Sequence, residues 1–258
     1  MTARGSRLAA IPALLLVLVA VWEIVATRLE AASVPDDDAW AAAAAVVRHG
    51  YRPGDLIVFE PPWADPIGRL HLGDLIPIEM AARMDGARYA RIWEISVHGA
   101  LSRETAGLEP VEQHDFHGLG VARYERTPVT VLADLADVRA PPPARVELSE
   151  VGFEPHRCVL VVPQPGVPVR ITYPALPLGS ELVGYVGLAD VFTRREVREP
   201  GKLDVEIGGA VVGSATAGVD DGWVRFRVAT TPGPTDVTFV VRADKPGRNV
   251  CFAAEARK

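Results

Sequence analysis

Short apolar runs separated by turn residues constrain the second half of this chain more than any other feature does. Clusters rich in proline, glycine and aspartate separate the runs, and residues 223–228 alternate apolar and charged side chains. About eight short strands with such turns between them are typical of an antiparallel β-sandwich whose sheets each keep one solvated face. The sequence therefore predicts a jelly-roll-like sandwich over residues 146–258, with strands near residues 146–148, 158–162, 167–173, 182–188, 203–207, 223–228, 237–241 and 250–254.

Residues 34–140 have a different pattern, in which helix-forming and strand-forming segments alternate. Three aspartates at residues 36–38 precede an alanine-rich stretch, and negative charge at that position stabilises the start of a helix. Apolar residues 56–59 predict a buried strand, residues 76–84 a second helix and residues 88–97 another strand. This order is typical of a small α/β unit, so the chain as a whole is assigned to the α+β class.

An apolar run over residues 8–25 follows Arg4 and Arg7 at the N-terminus. Its length of ~18 residues is about the minimum for crossing a bilayer as a helix. Arginines before the run and acidic residues after it favour an inside N-terminus and an outside C-terminus. The run predicts a single-pass anchor in the cytoplasmic membrane, with the bulk of the chain facing the periplasm or the cell exterior. The alternative is a cleaved signal peptide, whose apolar core usually runs only about 7–15 residues.

Three consecutive prolines, Pro141 to Pro143, lie between the α/β pattern and the sandwich pattern. Because proline has a fixed φ and no backbone N–H, such a stretch forms a stiff, extended spacer. We therefore predict four regions: residues 1–33 as the anchor and its flank, 34–140 as the α/β domain, 141–145 as a linker and 146–258 as the sandwich.

Cys158 and Cys251 are the two cysteines of the chain. Exported proteins meet oxidising conditions, and an even cysteine number is compatible with a bridge. The sequence predicts a disulfide between them, which would join an early strand of the sandwich to its last one. The alternative is two buried free thiols, because cysteine is among the most buried residue types.

Two parts of the chain resemble known families of the bacterial cell envelope. Residues 51–59, with the following Pro-Pro-Trp and the later Ala-Arg-Ile-Trp at 90–93, resemble the soluble extracytoplasmic α/β segment of polyprenyl-phosphate-sugar glycosyltransferases of the mannosyltransferase and aminoarabinose-transferase kind. Residues 179–188 and 251–255 resemble carbohydrate-binding-like β-sandwich modules. The resemblance implies a place in envelope glycan assembly. Those enzymes carry their catalytic acidic residues between many membrane helices, and this chain has one candidate span, so no catalytic residue is carried over.

Four residues at the ends of predicted α/β strands form a candidate ligand site. Glu60 and Trp63 follow the first strand, and Glu94 and His98 lie late in the second. Ligands gather beyond the carboxyl ends of strands in open α/β sheets, so these residues are expected to share one edge. Two carboxylates and a histidine suit acid–base chemistry, and a tryptophan can stack on a sugar ring. The alternative is structural, with the tryptophan packed on the sheet edge and the carboxylates solvated.

Tyr185 and Trp223 are the candidate sugar-stacking residues of the sandwich. Aromatic residues at strand positions are more often part of the core or of the sheet surface, and that interpretation stays open beside the first.

Two weak patterns concern metal ions, and neither predicts a site. His114 and His117 have a His-x-x-His spacing, which we interpret as an exposed polar loop because short motifs are weak signals. Asp190, Asp220 and Asp221 offer the oxygen ligands that calcium prefers, but Asp-Asp-Gly is also ordinary hairpin chemistry. We therefore expect neither a metal nor a cofactor.

The function that the sequence favours is non-catalytic. No nucleophile elbow, phosphate-binding glycine loop or zinc-protease helix occurs, and a net charge of −6 argues against nucleic acid as a partner. We expect an anchored accessory or binding protein of envelope glycan assembly, with the bilayer and either a glycan or a membrane glycosyltransferase as partners. One alternative is an enzyme that acts on envelope glycan at Glu60, Glu94 and His98. The other is a structural module that binds proteins through exposed sheet edges.

Overall fold

The computed structural model describes residues 5–189 and 199–258, and the chain divides into two compact units. Unit 1 consists of Met1–Pro53, Ile57–Leu72 and Ile92–Tyr124, and unit 2 of Gly54–Leu56, Gly73–Arg91 and Glu125–Lys258. This division does not coincide with the predicted boundary at residues 141–145. The physical reason is strand pairing, because a strand that precedes the prolines pairs with the last strand of the sandwich.

Unit 1 begins with two helices, α1 (Gly5–Ser33) and α2 (Asp37–Gly50). The α2 helix starts where the aspartates predict it, because the Asp36 carboxylate accepts a hydrogen bond from the Ala39 backbone N–H at 2.9 Å. Its buried residues follow a helical period and form one apolar stripe: Ala39, Trp40, Ala43, Ala44 and Val47.

The helices of the described residues include none that is both long enough and apolar enough to cross a membrane. The anchor over residues 8–25 therefore stays a prediction. Arg4, one of its flanking charges, lies outside the described residues.

A four-stranded sheet completes unit 1, in the order β1-β2-β4-β3, with β1 (Leu56–Glu60), β2 (Arg91–Val97), β3 (Pro110–Phe116) and β4 (Leu119–Glu125). Both β1 and β2 are strands that the sequence predicts, and β1 is buried over four consecutive residues. The strand β3 was not predicted, because its residues are polar and mostly exposed. Its antiparallel pairing with β4 determines its conformation.

Two helices follow β1 in the sequence, α3 (Asp65–Leu72) and α4 (Ile78–Ala81). The second helix, which was predicted over residues 76–84, is present only as the shorter α4. The α3 helix was not predicted because Gly68 lies inside it, and glycine disfavours helix. A Cβ at Gly68 would overlap the Phe59 ring, so the close approach of α3 to β1 requires the glycine.

Ten strands of the described residues build the β-sandwich of unit 2, which confirms the predicted sandwich. They are β5 (Val131–Asp134), β6 (Arg145–Val151), β7 (Glu154–Val161), β8 (Val169–Leu178), β9 (Glu181–Ala189), β10 (Gly201–Ile207), β11 (Ala210–Ala217), β12 (Val224–Ala229), β13 (Gly233–Ala243) and β14 (Asn249–Arg257).

The strands of unit 2 form two sheets. One has the order β11-β10-β13-β8, and the other has the order β12-β9-β14-β7-β6 with β5 also paired to β14. Every predicted run of the sandwich overlaps a strand, whereas β5 and β11 were not predicted. The β11 strand is joined to β10 by Gly208 and Gly209, whose φ angles of 61° and 82° suit a tight two-residue hairpin turn.

The disulfide between Cys158 and Cys251 is present, as predicted. It connects β7 to β14 across a Cα–Cα distance of 5.6 Å. Both cysteines are fully buried beside Leu160 and Ala253, so the bridge lies inside an apolar cluster.

Candidate ligand-binding cleft

A cleft of about 900 Å³ opens in unit 2 between β5 and β8. Residues 129 and 131–134 line one side, and residues 173–177 line the other. Residues 137–139, Pro141 and Arg88 complete the lining. The volume falls within the range of about 300–1,000 Å³ that is usual for small-molecule sites.

The strand β8 ends its sheet because it pairs with β13 alone. Pro174 and Pro177 lack the N–H that a further strand would need, which is typical of edge strands. Between them, Ala175 has a φ of 48° and donates its N–H to the Asp236 carboxylate at 2.8 Å. This irregular edge leaves the cleft uncovered on the β8 side.

Apolar side chains make up much of the cleft lining. Leu132 and Val138 are exposed in it, and Leu176 joins the lining to the sandwich core. Exposed apolar groups of this kind can contact the C–H face of a ring or an aliphatic chain.

Ion pairs fix most of the charges around the cleft. Arg88 pairs with Asp134 at 2.5 Å and also with the buried Glu255. Burial opposes the charged form of Arg88, but the Glu255 and Asp134 carboxylates outweigh it and raise the pKa of the guanidinium. Asp137 pairs with Arg157 at 2.7 Å.

Tyr173 is the buried polar residue of the cleft lining. Its side chain is 2% exposed and packs edge-on against Phe239, with ring centroids 5.9 Å apart. Its hydroxyl has no hydrogen-bond partner among the described residues, and burial raises the pKa of the phenol. A buried hydroxyl without a partner costs about 1–3 kcal/mol, so a ligand that accepts its hydrogen bond would recover free energy.

Glu94, a predicted site residue, is 2% exposed and already has hydrogen-bond partners inside unit 1. Its carboxylate accepts hydrogen bonds from the Thr105 hydroxyl and, at 3.3 Å, from the Ser102 backbone N–H. These hydrogen bonds hold the loop that follows β2, and contact of Glu94 with a ligand stays a prediction.

The other three residues of that predicted site lie closer to solvent. Glu60 is half-buried at the end of β1, and Trp63 is 61% exposed in the turn after it. His98 is exposed just after β2 and donates its backbone N–H to the Gly118 carbonyl at 2.7 Å. Contact of these three side chains with a ligand stays a prediction.

The structure brings Tyr185 and Trp223 together, with their rings stacked at a centroid distance of 5.9 Å. His156 stacks on Trp223 at 4.4 Å. However, Trp223 is only 9% exposed, packs with Met84 and donates its indole N–H to the Met84 carbonyl at 3.2 Å. The stacked rings are therefore part of a buried cluster in this structure, and sugar stacking on them stays a prediction.

The structure places the two weak metal patterns in a strand with its turn and in a separate turn. His114 lies in β3 and pairs with Glu112 at 3.1 Å, while His117 lies in the following turn, so a strand and a tight turn replace the expected loop. Hydrogen bonds from His114 and Arg123 lower the pKa of Glu112. In the other pattern, Asp221 accepts the Gly218 N–H at 2.8 Å, as in a turn.

Asp190 lies outside the described residues. Within the described ranges, no group of three or more metal-ligating side chains is arranged to hold an ion.

Sequence reasoning missed the residues that line the cleft, above all Arg88, Arg139 and Tyr173. One available signal was the pair of prolines in the run that contains Tyr173, because proline marks an edge strand. The remaining residues come from distant parts of the chain, and their proximity depends on the pairing of β5 with β14.

Comparison with known proteins gives similarity in fold only. No protein-family profile matches the sequence, and no curated protein matches it. Among solved structures, the CBM51-2 and INT domains of ZmpB from Clostridium perfringens are 13% identical, with a TM-score of 0.38, over 54% of this chain and 34% of theirs. The tandem CBM51 modules of Sp3GH98, a family 98 glycoside hydrolase from Streptococcus pneumoniae, are 12% identical, with a TM-score of 0.37, over 55% and 56%.

The carbohydrate-binding module CBM36 in complex with calcium and xylotriose is also 12% identical, with a TM-score of 0.33, over 49% of this chain and 98% of its own. This chain thus covers less than two thirds of the first two structures. At these identities and TM-scores the similarity does not extend to a ligand or an activity.

Proposed function

We propose that this chain is a non-catalytic glycan-binding protein, anchored by residues 8–25 in the cytoplasmic membrane with its bulk outside. The observation that carries the proposal is the cleft between β5 and β8. It combines an apolar lining with hydrogen-bonding groups, including the Tyr173 hydroxyl, which has no partner among the residues that the structure describes. Sugars present both C–H faces and hydroxyls, and such a cleft can contact both.

The location outside the cytoplasm is supported by two independent features. The arginines before the apolar run favour an outside C-terminus. The Cys158–Cys251 bridge fits an oxidising compartment, because disulfides are rare in the cytosol. An association with envelope glycan assembly, including a membrane glycosyltransferase as partner, is proposed from the sequence resemblance alone.

A glycan array probed with the full-length protein in detergent tests the proposal. Binding to a defined set of glycans is expected, and Val138→Trp should abolish it because the bulky ring would fill the cleft. Val211→Trp is the matched control, since Val211 is an exposed valine of β11 that does not line the cleft. Binding that survives Val138→Trp would place the site elsewhere, and binding to no glycan would refute the function.

A further inference from the structure

The charged residues that line the cleft are not equally available to a ligand. Arg88, Asp134 and Asp137 all belong to ion pairs of unit 2, at distances of 2.5 Å for Arg88–Asp134 and 2.7 Å for Asp137–Arg157. Both carboxylates of the lining are therefore neutralised by arginines of the protein itself. A ligand that bound to either of them would have to compete with a guanidinium that is already in place.

Arg139 differs from these residues. It is exposed in the cleft lining, and it forms no ion pair or hydrogen bond with any other described residue. Its guanidinium is thus the one charge of the lining that the described part of the chain leaves uncompensated. A guanidinium has a planar fork of N–H donors that matches a carboxylate bidentately.

Two polar groups of the cleft lining, the exposed Arg139 guanidinium and the buried Tyr173 hydroxyl, are complementary to the same kind of ligand. Arg139 can only donate hydrogen bonds, and the Tyr173 hydroxyl is a donor for which the described part of the chain supplies no acceptor. A ligand that supplies acceptors, one of them anionic, would satisfy both groups. The apolar side chains around them, such as Leu132 and Val138, would contact the ligand's C–H groups.

On this basis we infer that the cleft recognises an acidic sugar unit, with a hexuronate as the simplest example. The inference rests on the proposed glycan-binding function and narrows it to one substrate class. Arg139 would bind the carboxylate, and Tyr173 would donate its hydrogen bond to a ring or hydroxyl oxygen. A neutral sugar would occupy the same cleft but would leave the Arg139 charge without a partner.

The experiment compares two matched probes by calorimetry with the full-length protein in detergent. One probe is a hexuronic-acid disaccharide, and the other is the neutral disaccharide that has hydroxymethyl groups in place of its carboxylates. The acidic probe should bind about tenfold or more tightly, since hydrogen bonds to charged groups are the stronger ones. The difference should shrink as salt is raised.

Variants of Arg139 test whether this residue causes the preference for the acidic probe. Arg139→Gln should remove the preference for the acidic probe, while Arg139→Lys should keep part of that preference because a point charge remains. Arg225→Gln is the control, since Arg225 is exposed on β12, away from the cleft lining.

Equal affinity for the two probes, or a preference that survives Arg139→Gln, would overturn the inference while leaving glycan binding intact. If neither probe nor any arrayed glycan bound, the proposed function itself would fail. The two failures are therefore distinguishable.

Discussion

The hydroxyl of Tyr173 shows how a single atom can connect stability to binding. It lies in the sandwich core, where the phenol ring contributes apolar contacts, yet its oxygen has no partner among the described residues. Such a buried hydroxyl lowers the stability of the folded state unless water or a ligand forms a hydrogen bond with it. A residue that lowers stability in this way is typical of a binding site, where function rather than stability determines the side chain.

Replacing Tyr173 by Phe should raise the free energy of unfolding by about 1 kcal/mol, because it removes an unsatisfied buried hydroxyl and keeps the ring. Urea unfolding at neutral pH measures this. Tyr124→Phe is the control and should have the opposite sign, because the Tyr124 hydroxyl is hydrogen-bonded to Thr105. Equal destabilisation by both changes would mean that Tyr173 has a partner.

The same substitution should also change the alkaline limit of stability. Burial raises the pKa of Tyr173, so the folded state holds its proton more tightly than the unfolded state does. The contribution of this proton to the free energy of unfolding is fully present below the unfolded-state pKa of about 10. It is lost as the pH rises above that value toward the folded-state pKa. The free energy of unfolding, measured from pH 8 to 11, should therefore fall less steeply with pH for Tyr173→Phe than for the wild type.

Glu94 and Glu60 provide a second comparison at the residue scale. Glu94→Gln should destabilise unit 1 by about 1–3 kcal/mol, because the buried carboxylate accepts hydrogen bonds from Thr105 and Ser102. Glu60→Gln, at a half-buried strand end, should cost only about half a kcal/mol. Denaturant unfolding of both variants checks this, and equal losses of unfolding free energy would contradict the difference in burial between the two carboxylates.

At the scale of elements, β14 organises unit 2. It pairs with β9 along its whole length, while β7 and β5 share its other side, and the disulfide attaches it to β7. Its final residues also hold the segment that precedes β2: Arg257 pairs with Asp85 at 2.8 Å and with Glu255 at 2.7 Å. Burial opposes the charge on Arg257, but these two carboxylates raise the pKa of its guanidinium.

Removal of the disulfide by the double change Cys158→Ala and Cys251→Ala should lower the free energy of unfolding. The chain-entropy argument gives roughly 4–5 kcal/mol as an upper value for a loop of this length. Thermal unfolding with and without reductant measures the loss. Intact mass after alkylation is the direct check, and two alkylated thiols in protein from an oxidising compartment would contradict the bridge.

Asp85→Ala should destabilise unit 2 by about 3 kcal/mol, because it removes one of the two carboxylates that pair with the buried Arg257 within the described ranges. The matched control is Asp137→Ala, which removes an exposed partner of Arg157 and should cost about 0–1 kcal/mol. Unfolding curves of the two variants should differ clearly. A loss of similar size in both would contradict a structural role for the buried pair.

At the scale of the whole molecule, the proposed anchor determines where the cleft operates. An anchor at the N-terminus would keep the sandwich near the membrane and raise its local concentration beside membrane-bound glycans or enzymes. The low net charge of −6 leaves little electrostatic attraction to anionic lipid, so this location would depend on the apolar run.

Protease added to spheroplasts should digest the folded part of the chain if its bulk lies outside the cytoplasmic membrane. After a carbonate wash, the intact protein should stay in the membrane pellet, because a spanning helix is not removed by high pH. A released form that begins near Ser33 would contradict the anchor and favour the cleaved signal peptide instead. Protection from protease in intact spheroplasts would reverse the proposed orientation.

Local pattern alone was sufficient for eight of the ten sandwich strands and for the start of α2 at Asp36, and it predicted the disulfide beside the alternative of two free thiols. Alternation, turn residues and capping act over a few positions, and two cysteines leave one intramolecular pairing. The cleft was not accessible in this way. Arg88, Arg139 and Tyr173 are far apart in sequence, and only the pairing of β5 with β14 and the irregular edge of β8 place them around one cavity.

Burial also depended on the tertiary structure. The side chains of Glu94 and Trp223 could lie at a surface or in the interior as far as the sequence shows. Glu94 is buried by its hydrogen bonds to the 102–105 loop, and Trp223 by its contact with Met84. The sequence by itself thus determined eight of the ten sandwich strands, because alternation and turn residues act between neighbours along the chain, whereas the strand conformation of β3 depended on its pairing with β4. The tertiary structure decided which side chains meet, because a contact across the fold depends on the register and pairing of distant strands.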